Sequence, residues 1–231
     1  MKALRLFFSL SIACGFAACN SKTETISSTE NSTEENKTAT DTSQVVLTDK
    51  DSSVVGIDIS KYQGDEIEYL NKNKDQLTFV ICKATEGITY TDPDFANNWK
   101  VTKEKGFVRG CYHFYHCDDD PTQQANNYLK AIGTLSAKDF PPIVDFEEGC
   151  IVKSCNKSTI QKNLLQFLKI LQQKTGSMPM LYTDVNTGNN QLTDTAFAKY
   201  ELWIADYNKA TTPSVPNTWK NTNWTFWQKT D

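Results

Sequence analysis

The sequence predicts an α/β protein, specifically an irregular TIM-like β/α barrel with few helices in its C-terminal half. From residue 54 to residue 231, short apolar runs typical of strands alternate with amphipathic stretches typical of helices. Such alternation is characteristic of parallel β/α units, and about seven strands of this kind suit a barrel. With 231 residues, 39% of them hydrophobic, the chain can supply one such domain with a sizeable core.

Seven segments are predicted to be strands, because each is a short run rich in β-branched or aromatic residues. They are residues 54–60, 77–84, 107–115, 140–147, 180–183, 202–207 and 225–228. The segments predicted to be helices are residues 66–73, 94–105, 121–132 and 158–175. The last helix has the clearest amphipathic pattern and is followed by Gly176, a typical helix terminator. Helical patterns are sparse after it, so the barrel is expected to be irregular there.

Residues 1–19 are predicted to form a lipoprotein signal peptide. A basic start is followed by an apolar run over residues 6–18, which is shorter than the roughly 20 residues of a permanent membrane span. Small residues then precede Cys19, an arrangement that resembles the lipobox of bacterial lipoproteins. Cys19 is therefore the expected lipidation site, with Cys14 as a weaker alternative and an ordinary cleaved signal also open. The expected location is the cell envelope, membrane-anchored and facing the periplasm or the exterior.

Residues 20–53 are predicted to be a disordered linker. They are almost entirely Ser, Thr, Glu, Asn, Lys and Asp, so they cannot bury enough apolar surface to offset the loss of chain entropy. A flexible coil of this length reaches roughly 30–35 Å from end to end. The domain proper is expected to span residues 54–231.

The composition argues against several classes of protein. A net charge of −4 does not favour nucleic-acid binding, which usually needs a basic surface. His113 and His116 are the two histidines, and no paired C-x-x-C spacing accompanies them, so no metal site and no cofactor are predicted. The domain is expected to act as a monomer.

The cysteines indicate a disulfide, because an exported protein can keep one. Of the seven cysteines, five remain once Cys14 and Cys19 are set aside, so at least one thiol stays unpaired or pairs between chains. Cys150 and Cys155 bracket a short loop and are the favoured pair. Cys111 with Cys117 is the alternative.

The fourth predicted strand carries two acids. Asp145 and Glu147 are two residues apart, so they share one strand face with Cα atoms roughly 6.5–7 Å apart. Burying two carboxylates is costly, and neighbouring acids raise one another's pKa, which leaves one protonated while the other stays ionised. That division suits glycoside hydrolysis, which needs a proton donor and a stabilising carboxylate. A metal-binding or solvated pair at the strand end is the alternative.

A third acid, Asp58, stands near the end of the first predicted strand. Strand alternation turns Ile57 and Ile59 towards one face and Asp58 towards the other, so Asp58 can face the barrel. The alternative is that Asp58 caps the following turn. Aromatic residues also stand at several strand ends, where they can stack on sugar rings or serve as core.

Several motifs together resemble glycoside hydrolase family 25, the Chalaropsis-type lysozymes. They are G-I-D-I-S-x-Y-Q-G (residues 56–64), K-A-T-E-G (83–87), D-P-D-F-A-N-N-W (92–99), G-C-Y-H-F (110–114), P-P-I-V-D-F-E (141–147), L-Y-T (181–183), L-W-I-A-D-Y (202–207) and W-T-F-W-Q (224–228). They occur in the order and spacing of the family and cover essentially the whole domain.

The resemblance implies hydrolysis of the β-1,4 bond between N-acetylmuramic acid and N-acetylglucosamine in peptidoglycan. It implies that Glu147 is the acid/base, that Asp145 is its partner on the same strand, and that Asp58 belongs to the same site. The implied sugar-groove residues are Tyr62, Tyr112, Tyr182, Trp203 and Tyr207. A substrate-assisted route through the 2-acetamido group is expected, with inversion through an activated water as the alternative.

One departure from the family pattern bears on activity. Family members usually continue past the W-x-Q strand with a further strand that carries an acidic motif and closes the barrel, whereas this sequence ends at Asp231. A truncated C-terminus is one interpretation, and the other is that Asp231 and its neighbours do a reduced version of the work of that strand. A non-catalytic peptidoglycan-binding lipoprotein and a hydrolase of another acetamido-sugar polymer, such as chitin, stay open as alternative functions, although the three retained acids favour an enzyme.

Overall fold

The computed structural model describes residues 8–10, 54–63, 67–222 and 224–230. Its strands form one nine-stranded sheet. The strands are β1 (Phe8–Leu10), β2 (Val54–Ile59), β3 (Phe79–Glu86), β4 (Tyr90–Thr91), β5 (Val108–Phe114), β6 (Ile143–Asp145), β7 (Met180–Asp184), β8 (Glu201–Ala205) and β9 (Trp224–Gln228). All seven predicted strands are present, and β1 and β4 are additional to them.

The sheet curls into a barrel. Its order is β2-β1-β9-β8-β7-β6-β5-β3-β4, and β2 also pairs with β3, so every strand except β4 belongs to a closed ring. The pairs β2–β3, β3–β5, β5–β6, β6–β7, β7–β8 and β8–β9 are parallel. Their carboxyl ends therefore meet at one mouth, where side chains from different strands converge. The predicted α/β barrel is confirmed.

Strand β1 lies antiparallel between β2 and β9 and closes the ring. Its three residues fall inside the predicted signal peptide, so cleavage of that signal would remove β1 and leave the edges of β2 and β9 facing each other. The rest of the predicted signal, including Cys19, and the predicted linker lie outside the described residues. Both assignments stay predictions.

The helices are concentrated in the first two thirds of the barrel. They are α1 (Ile67–Lys72), α2 (Phe95–Glu104), α3 (Pro121–Ile132), α4 (Lys157–Thr175) and α5 (Val185–Gln191). Beyond α5 the connections contain only short 3-10 turns, Thr195–Lys199 and Asn217–Trp219, which confirms the predicted irregularity. None of the helices described is both long and apolar enough to span a membrane.

The termini of the two longest helices follow the sequence closely. The Asp120 carboxylate accepts hydrogen bonds from the backbone N–H groups of Thr122 and Gln123, and Pro121 occupies the first turn of α3. The Asn156 side chain caps α4. Gly176 ends α4 in a left-handed conformation with φ of 74°, as predicted from its position.

Two hydrophobic cores lie on opposite sides of the strands. The outer core packs the strands against the helices and contains Ile57 and Ile59. The inner core fills the barrel and includes Phe79 and Phe226, whose ring centroids are 5.1 Å apart. A Cβ added at Gly56 would lie 2.3 Å from the Phe79 ring, so only glycine fits at that position of β2. The predicted alternation of β2 is therefore confirmed.

The disulfide joins Cys117 and Cys155, whose Cα atoms are 6.2 Å apart, and the predicted Cys150–Cys155 bridge is wrong. The alternative Cys111–Cys117 pairing is also wrong, because Cys111 is a free, buried thiol. Cys150 is free and buried because the turn after β6 points it inwards, where its Sγ accepts the Glu147 N–H at 3.3 Å. The loop then returns over Cys117, where the Val152 N–H contacts the Cys117 sulfur at 3.3 Å.

Removing this disulfide is expected to destabilise the fold. The bridge closes a loop with a sequence separation of 38 residues, so its loss should cost about 4 kcal/mol of unfolding free energy, largely through the entropy of the unfolded chain. Urea unfolding of wild type and Cys155→Ala measures the difference. Reductant should lower the stability of the wild type and leave Cys155→Ala unchanged; equal stability of the two oxidised proteins would contradict the prediction.

Candidate active site

A pocket of about 260 Å³ opens at the mouth of the barrel. Its lining residues come from the carboxyl ends of β2, β3, β5, β6, β7, β8 and β9 and from the segments that follow them. They are Asp58, Ser60, Tyr62, Gln63, Lys83, Tyr112, Phe114, Asp145, Glu147, Tyr182, Trp203 and Gln228. The three predicted acids are thus brought together in one site, as expected for the carboxyl ends of barrel strands.

The pair Asp145 and Glu147 has the predicted orientation. Asp145 is the last residue of β6, and the backbone stays extended at Glu147, with φ of −134° and ψ of −176°. The alternation of a strand therefore continues past its last paired residue: Phe146 is fully buried in the outer core, while both acids line the pocket. A 3-10 turn, Glu148–Cys150, then carries the chain away from the site.

The Asp145 carboxyl has an unusual electrostatic environment. Burial raises its pKa well above the ordinary value, and the negative charges of Glu147 and Asp58 raise it further, whereas the Lys83 ammonium opposes them. The Oδ1 atom of Asp145 is shielded from solvent and has no hydrogen-bond partner among the described residues. This carboxyl therefore retains a proton to a higher pH than an exposed aspartate and offers an oxygen that can bind a polar group of a substrate.

The aromatic wall of the pocket is held together by one amide. The Tyr182 hydroxyl donates a hydrogen bond to Gln228 Oε1 at 2.6 Å, and the Tyr207 hydroxyl donates to the same oxygen at 3.0 Å. Trp203 packs edge-on against Tyr182, with ring centroids 4.8 Å apart. Tyr182 and Trp203 are buried, so their rings present a rigid surface to the pocket.

The predicted groove residues differ in how they contribute. Tyr62, Tyr112, Tyr182 and Trp203 line the pocket. Tyr207 is not among the lining residues, but its hydroxyl contacts Gln228, which lines the pocket. Tyr62 is 75% exposed and Tyr207 50% exposed, so both stand at the rim, where they can stack on a long substrate.

A second, larger concavity of about 380 Å³ lies near the amino ends of β6 and β7, at the other end of the barrel. Its lining carboxylate, Asp139, forms an ion pair with Arg109, so that acid is already engaged. The acid pair and the aromatic wall are at the carboxyl-end pocket, which makes that pocket the candidate active site.

Comparison with known proteins identifies the family. Residues 57–231 match the model of Glycosyl hydrolases family 25. The chain belongs to glycosyl hydrolase family 25. The matched range contains all eight predicted catalytic and sugar-groove residues, so the family resemblance predicted from the motifs is confirmed.

Relatives of this family 25 chain are found in bacteria and fungi. It is 29% identical over 183 residues to Escherichia coli (strain K12) protein YegX, covering 78% of this chain and 64% of that protein. It is 29% identical over 195 residues to the N,O-diacetylmuramidase of Chalaropsis sp, covering 78% of this chain and 89% of that enzyme. The solved family 25 glycosyl hydrolase of Bacillus anthracis superposes with a TM-score of 0.67 at 27% identity, covering 76% of this chain and 78% of that one.

Four polar residues that line the family 25 pocket, Ser60, Gln63, Lys83 and Gln228, were not predicted as site residues. Lys83 lies on β3 and Gln228 on β9, and both side chains enter the pocket. The signal that could have found them is the same alternation used for Asp58. Phe79, Ile81 and Lys83 alternate on one face of β3, and Phe226 and Gln228 alternate on one face of β9.

The polar side chains of this family 25 site are carboxylates, tyrosines, one lysine, one serine and two glutamines. Within the described parts of the chain, no group of three or more His, Cys, Asp or Glu side chains is arranged to hold a metal ion. The side chains that are present can transfer protons, form hydrogen bonds and stabilise charge.

Proposed function

We propose that this protein is a lysozyme, an N-acetylmuramidase that hydrolyses the β-1,4 bond between N-acetylmuramic acid and N-acetylglucosamine in peptidoglycan. The observation that carries the proposal is the pair Asp145 and Glu147, side by side in one pocket with Asp58. Such a pair supplies the proton donor and the stabilising carboxylate that glycoside cleavage needs. The relationship to a muramidase of Chalaropsis sp supports the same substrate class.

In the first step, the oxygen of the substrate's own 2-acetamido group attacks the anomeric carbon while the glycosidic bond breaks. Glu147 gives its proton to the leaving oxygen, and Asp145 holds the acetamido N–H and stabilises the positive charge that develops. The unpartnered Oδ1 of Asp145 is the acceptor for that N–H. Accepting the N–H favours the ionised form of Asp145, so the proton of the acid pair is drawn to Glu147, where it is needed.

In the second step, water attacks the anomeric carbon of the cyclic intermediate. The Glu147 carboxylate takes one proton from the water and recovers its acid form, and the acetamido group is restored. Two displacements at the same carbon retain its configuration.

The aromatic wall and rim orient the glycan strand. The rings of Tyr182 and Trp203 offer flat, buried surfaces to sugar faces, and the exposed ring of Tyr62 extends the groove. Gln228 keeps Tyr182 and Tyr207 in place by accepting both hydroxyl hydrogens. Rigid stacking surfaces reduce the entropy lost when a long polymer binds.

We further propose that the protein acts as a monomeric lipoprotein at the cell envelope. Cys19 carries the lipid, residues 20–53 form the spacer, and the domain reaches peptidoglycan from the membrane, facing the periplasm or the cell exterior. The apolar run before Cys19 and the polar composition of the spacer support this proposal. The intact mass of protein extracted from the envelope, compared with that of Cys19→Ala, tests the anchor; masses that differ only by the sulfur atom of the cysteine would refute it.

The activity is tested by incubating the full chain with purified peptidoglycan and, in parallel, with chitin. Muramic acid at the new reducing ends is the expected product, with the retained anomer appearing first by NMR. N-acetylglucosamine ends from chitin at a comparable rate would favour a hydrolase of another acetamido-sugar polymer. Binding to peptidoglycan without new reducing ends would mean a binding module, and an inverted first anomer would exclude the substrate-assisted route.

A further inference from the structure

A row of side chains of alternating acidic and basic type leads from the surface into the active site. Asp119 Oδ2 lies 3.4 Å from His116 Nδ1, and His116 Nε2 lies 3.0 Å from Glu86 Oε1. The other oxygen of Glu86 accepts a hydrogen bond from Lys83 Nζ at 2.7 Å. Lys83 lines the pocket that holds the acid pair. We call these four residues the charge relay.

The backbone is shaped to allow the contact between Glu86 and Lys83. Residues three apart on a regular strand face opposite sides of the sheet. The register of β3 against β5 shifts between Lys83 and Thr85, where one extra residue is inserted as a bulge. The bulge offsets the alternation, so Lys83 and Glu86 meet on the same side.

The turn after β3 makes room for the outer half of the charge relay. Gly87 has φ of 52°, and a Cβ at this position would lie 2.8 Å from Asp119 Oδ2 and 3.0 Å from His116 Nδ1. The Gly87 N–H donates to the Phe114 carbonyl at 3.1 Å, and the Asn127 side chain donates to the Gly87 carbonyl at 3.0 Å. A fixed glycine therefore keeps open the space in which His116 and Asp119 approach Glu86.

The inner end of the charge relay is a buried cation. The Lys83 side chain is 7% exposed, and its Nζ lies 5.0 Å from the centroid of the Phe114 ring. Burying an ammonium is costly unless it is paired, and Glu86 supplies the pairing charge. His116 contacts the other oxygen of the Glu86 carboxylate. Both oxygens are therefore engaged, Oε2 by Lys83 and Oε1 by His116, and the carboxylate is fixed in one orientation.

We infer that Glu86 and His116 are positioning residues that hold the Lys83 ammonium at a set place beside Asp145 and Glu147, and so determine how tightly the acid pair binds its proton. The effect of these residues on catalysis rests on the proposed function, in which Asp145 and Glu147 are the catalytic pair.

The other charged and titratable groups around the acid pair act in the opposite direction or are neutral. Asp58 faces the pair from β2, and its charge raises the pKa of Asp145, as does the more distant charge of Glu86. Tyr112 from β5 and Tyr182 from β7 have pKa values raised by burial, so both hydroxyls stay neutral where the enzyme would work. Lys83 is the cation that offsets this accumulation of negative charge at Asp145.

The direction in which each substitution shifts the Asp145 pKa follows from these charges and contacts. Lys83→Met removes a positive charge next to the pair, so the Asp145 pKa should rise by about one pH unit. Glu86→Gln removes a negative charge, while the amide oxygen can still accept a hydrogen bond from Lys83 and keep the ammonium in place, so the Asp145 pKa should fall. His116→Leu removes the side chain that holds Glu86 Oε1 and so loosens the hold of Glu86 on the Lys83 ammonium, and the Asp145 pKa should rise. His116→Gln keeps a donor and should restore the wild-type value.

The experiment is an NMR titration of the full chain labelled with carbon-13 at the aspartate side-chain carboxyl, with the Asp145 signal assigned through Asp145→Asn. Glu104→Gln is the matched control, because Glu104 lies in an exposed ion pair with Lys100 away from the pocket. The control should titrate like wild type. Opposite displacements in Lys83→Met and Glu86→Gln, with rescue by His116→Gln, support the inference; an unchanged Asp145 titration in Glu86→Gln and His116→Leu overturns it.

The pH profile of peptidoglycan cleavage separates this inference from the proposed function. The pH optimum should move to higher pH in Lys83→Met and to lower pH in Glu86→Gln. If wild type cleaves no peptidoglycan while the carboxyl titrations shift as expected, the proposed function fails and the charge relay stands. Glu86 and His116 are about one third exposed, so their variants keep the test valid even if Lys83→Met fails to fold.

Discussion

Glu147→Gln is expected to lower the rate of peptidoglycan hydrolysis by about three orders of magnitude, within the range that general acid catalysis contributes. The carboxamide is nearly the same size as the carboxyl group, but it cannot donate an acid proton to the leaving oxygen. The fold should be unaffected, because Glu147 lies at the pocket surface and the amide oxygen of Gln can still accept the backbone hydrogen bond that the Glu147 side chain accepts within its turn. Clearing of a peptidoglycan suspension, followed by turbidity, measures the rate.

The control for this variant is Glu148→Gln. Glu148 is the adjacent residue, is exposed and lies in the same turn, so it reproduces the change of charge without touching the pocket. It should clear the suspension at the wild-type rate. Equal, slow clearing by wild type, Glu147→Gln and Glu148→Gln would show that Glu147 is not the proton donor.

Asp139→Ala is expected to lower the free energy of unfolding by about 4 kcal/mol, as is usual when one partner of a buried ion pair is removed. Arg109 Nε and Nη2 donate to the two oxygens of Asp139 at 2.6 and 3.1 Å. Without Asp139, the guanidinium would keep only its stacking on the Trp99 ring, 3.8 Å from the centroid, and its bond to the Trp99 carbonyl. Urea unfolding at neutral pH measures the loss.

The ion pair between Arg109 and Asp139 also predicts how the loss of unfolding free energy in Asp139→Ala depends on pH. Burial alone would raise the Asp139 pKa, but the hydrogen bonds from Arg109 and Ser136 outweigh burial and lower it. A lowered folded-state pKa contributes stability above the unfolded value of about 3.9, and that stability is lost as the pH falls through the folded value. The difference between wild type and Asp139→Ala should therefore shrink in acid.

Asp75→Ala is the control for Asp139→Ala, since Asp75 is an exposed aspartate in the segment between α1 and β3. It should unfold at the wild-type urea concentration at every pH. A deficit below about 1 kcal/mol for Asp139→Ala, the range of exposed ion pairs, would mean that the buried pair adds little.

Much of the site could be predicted because it depends on local alternation. The period of two along a strand determines which face a residue occupies whatever the rest of the fold does. Asp58, Asp145 and Glu147 were placed correctly on that basis, and Phe146 between the two acids is buried as the alternation requires. The number and order of the parallel strands then bring those faces to one mouth.

Three sets of contacts could not be predicted from regular alternation along a strand. The bulge in β3 cancels the alternation that would separate Lys83 from Glu86. Gln228 contacts Tyr182 across 46 residues of sequence. The disulfide partner of Cys155 is Cys117, 38 residues away, and not the nearby Cys150.

The amino-acid sequence by itself therefore determined the strand pattern, the α/β class, the direction of the three acids and the family, because each depends on residue types at short, regular spacings. Only the tertiary structure decided which cysteines form the disulfide and where β1 lies between β2 and β9. It also decided the hydrogen bonds from two tyrosines to Gln228 and the contacts of the charge relay with Lys83. These depend on which distant segments the barrel brings within hydrogen-bonding distance, and periodicity along one strand carries no information about that distance.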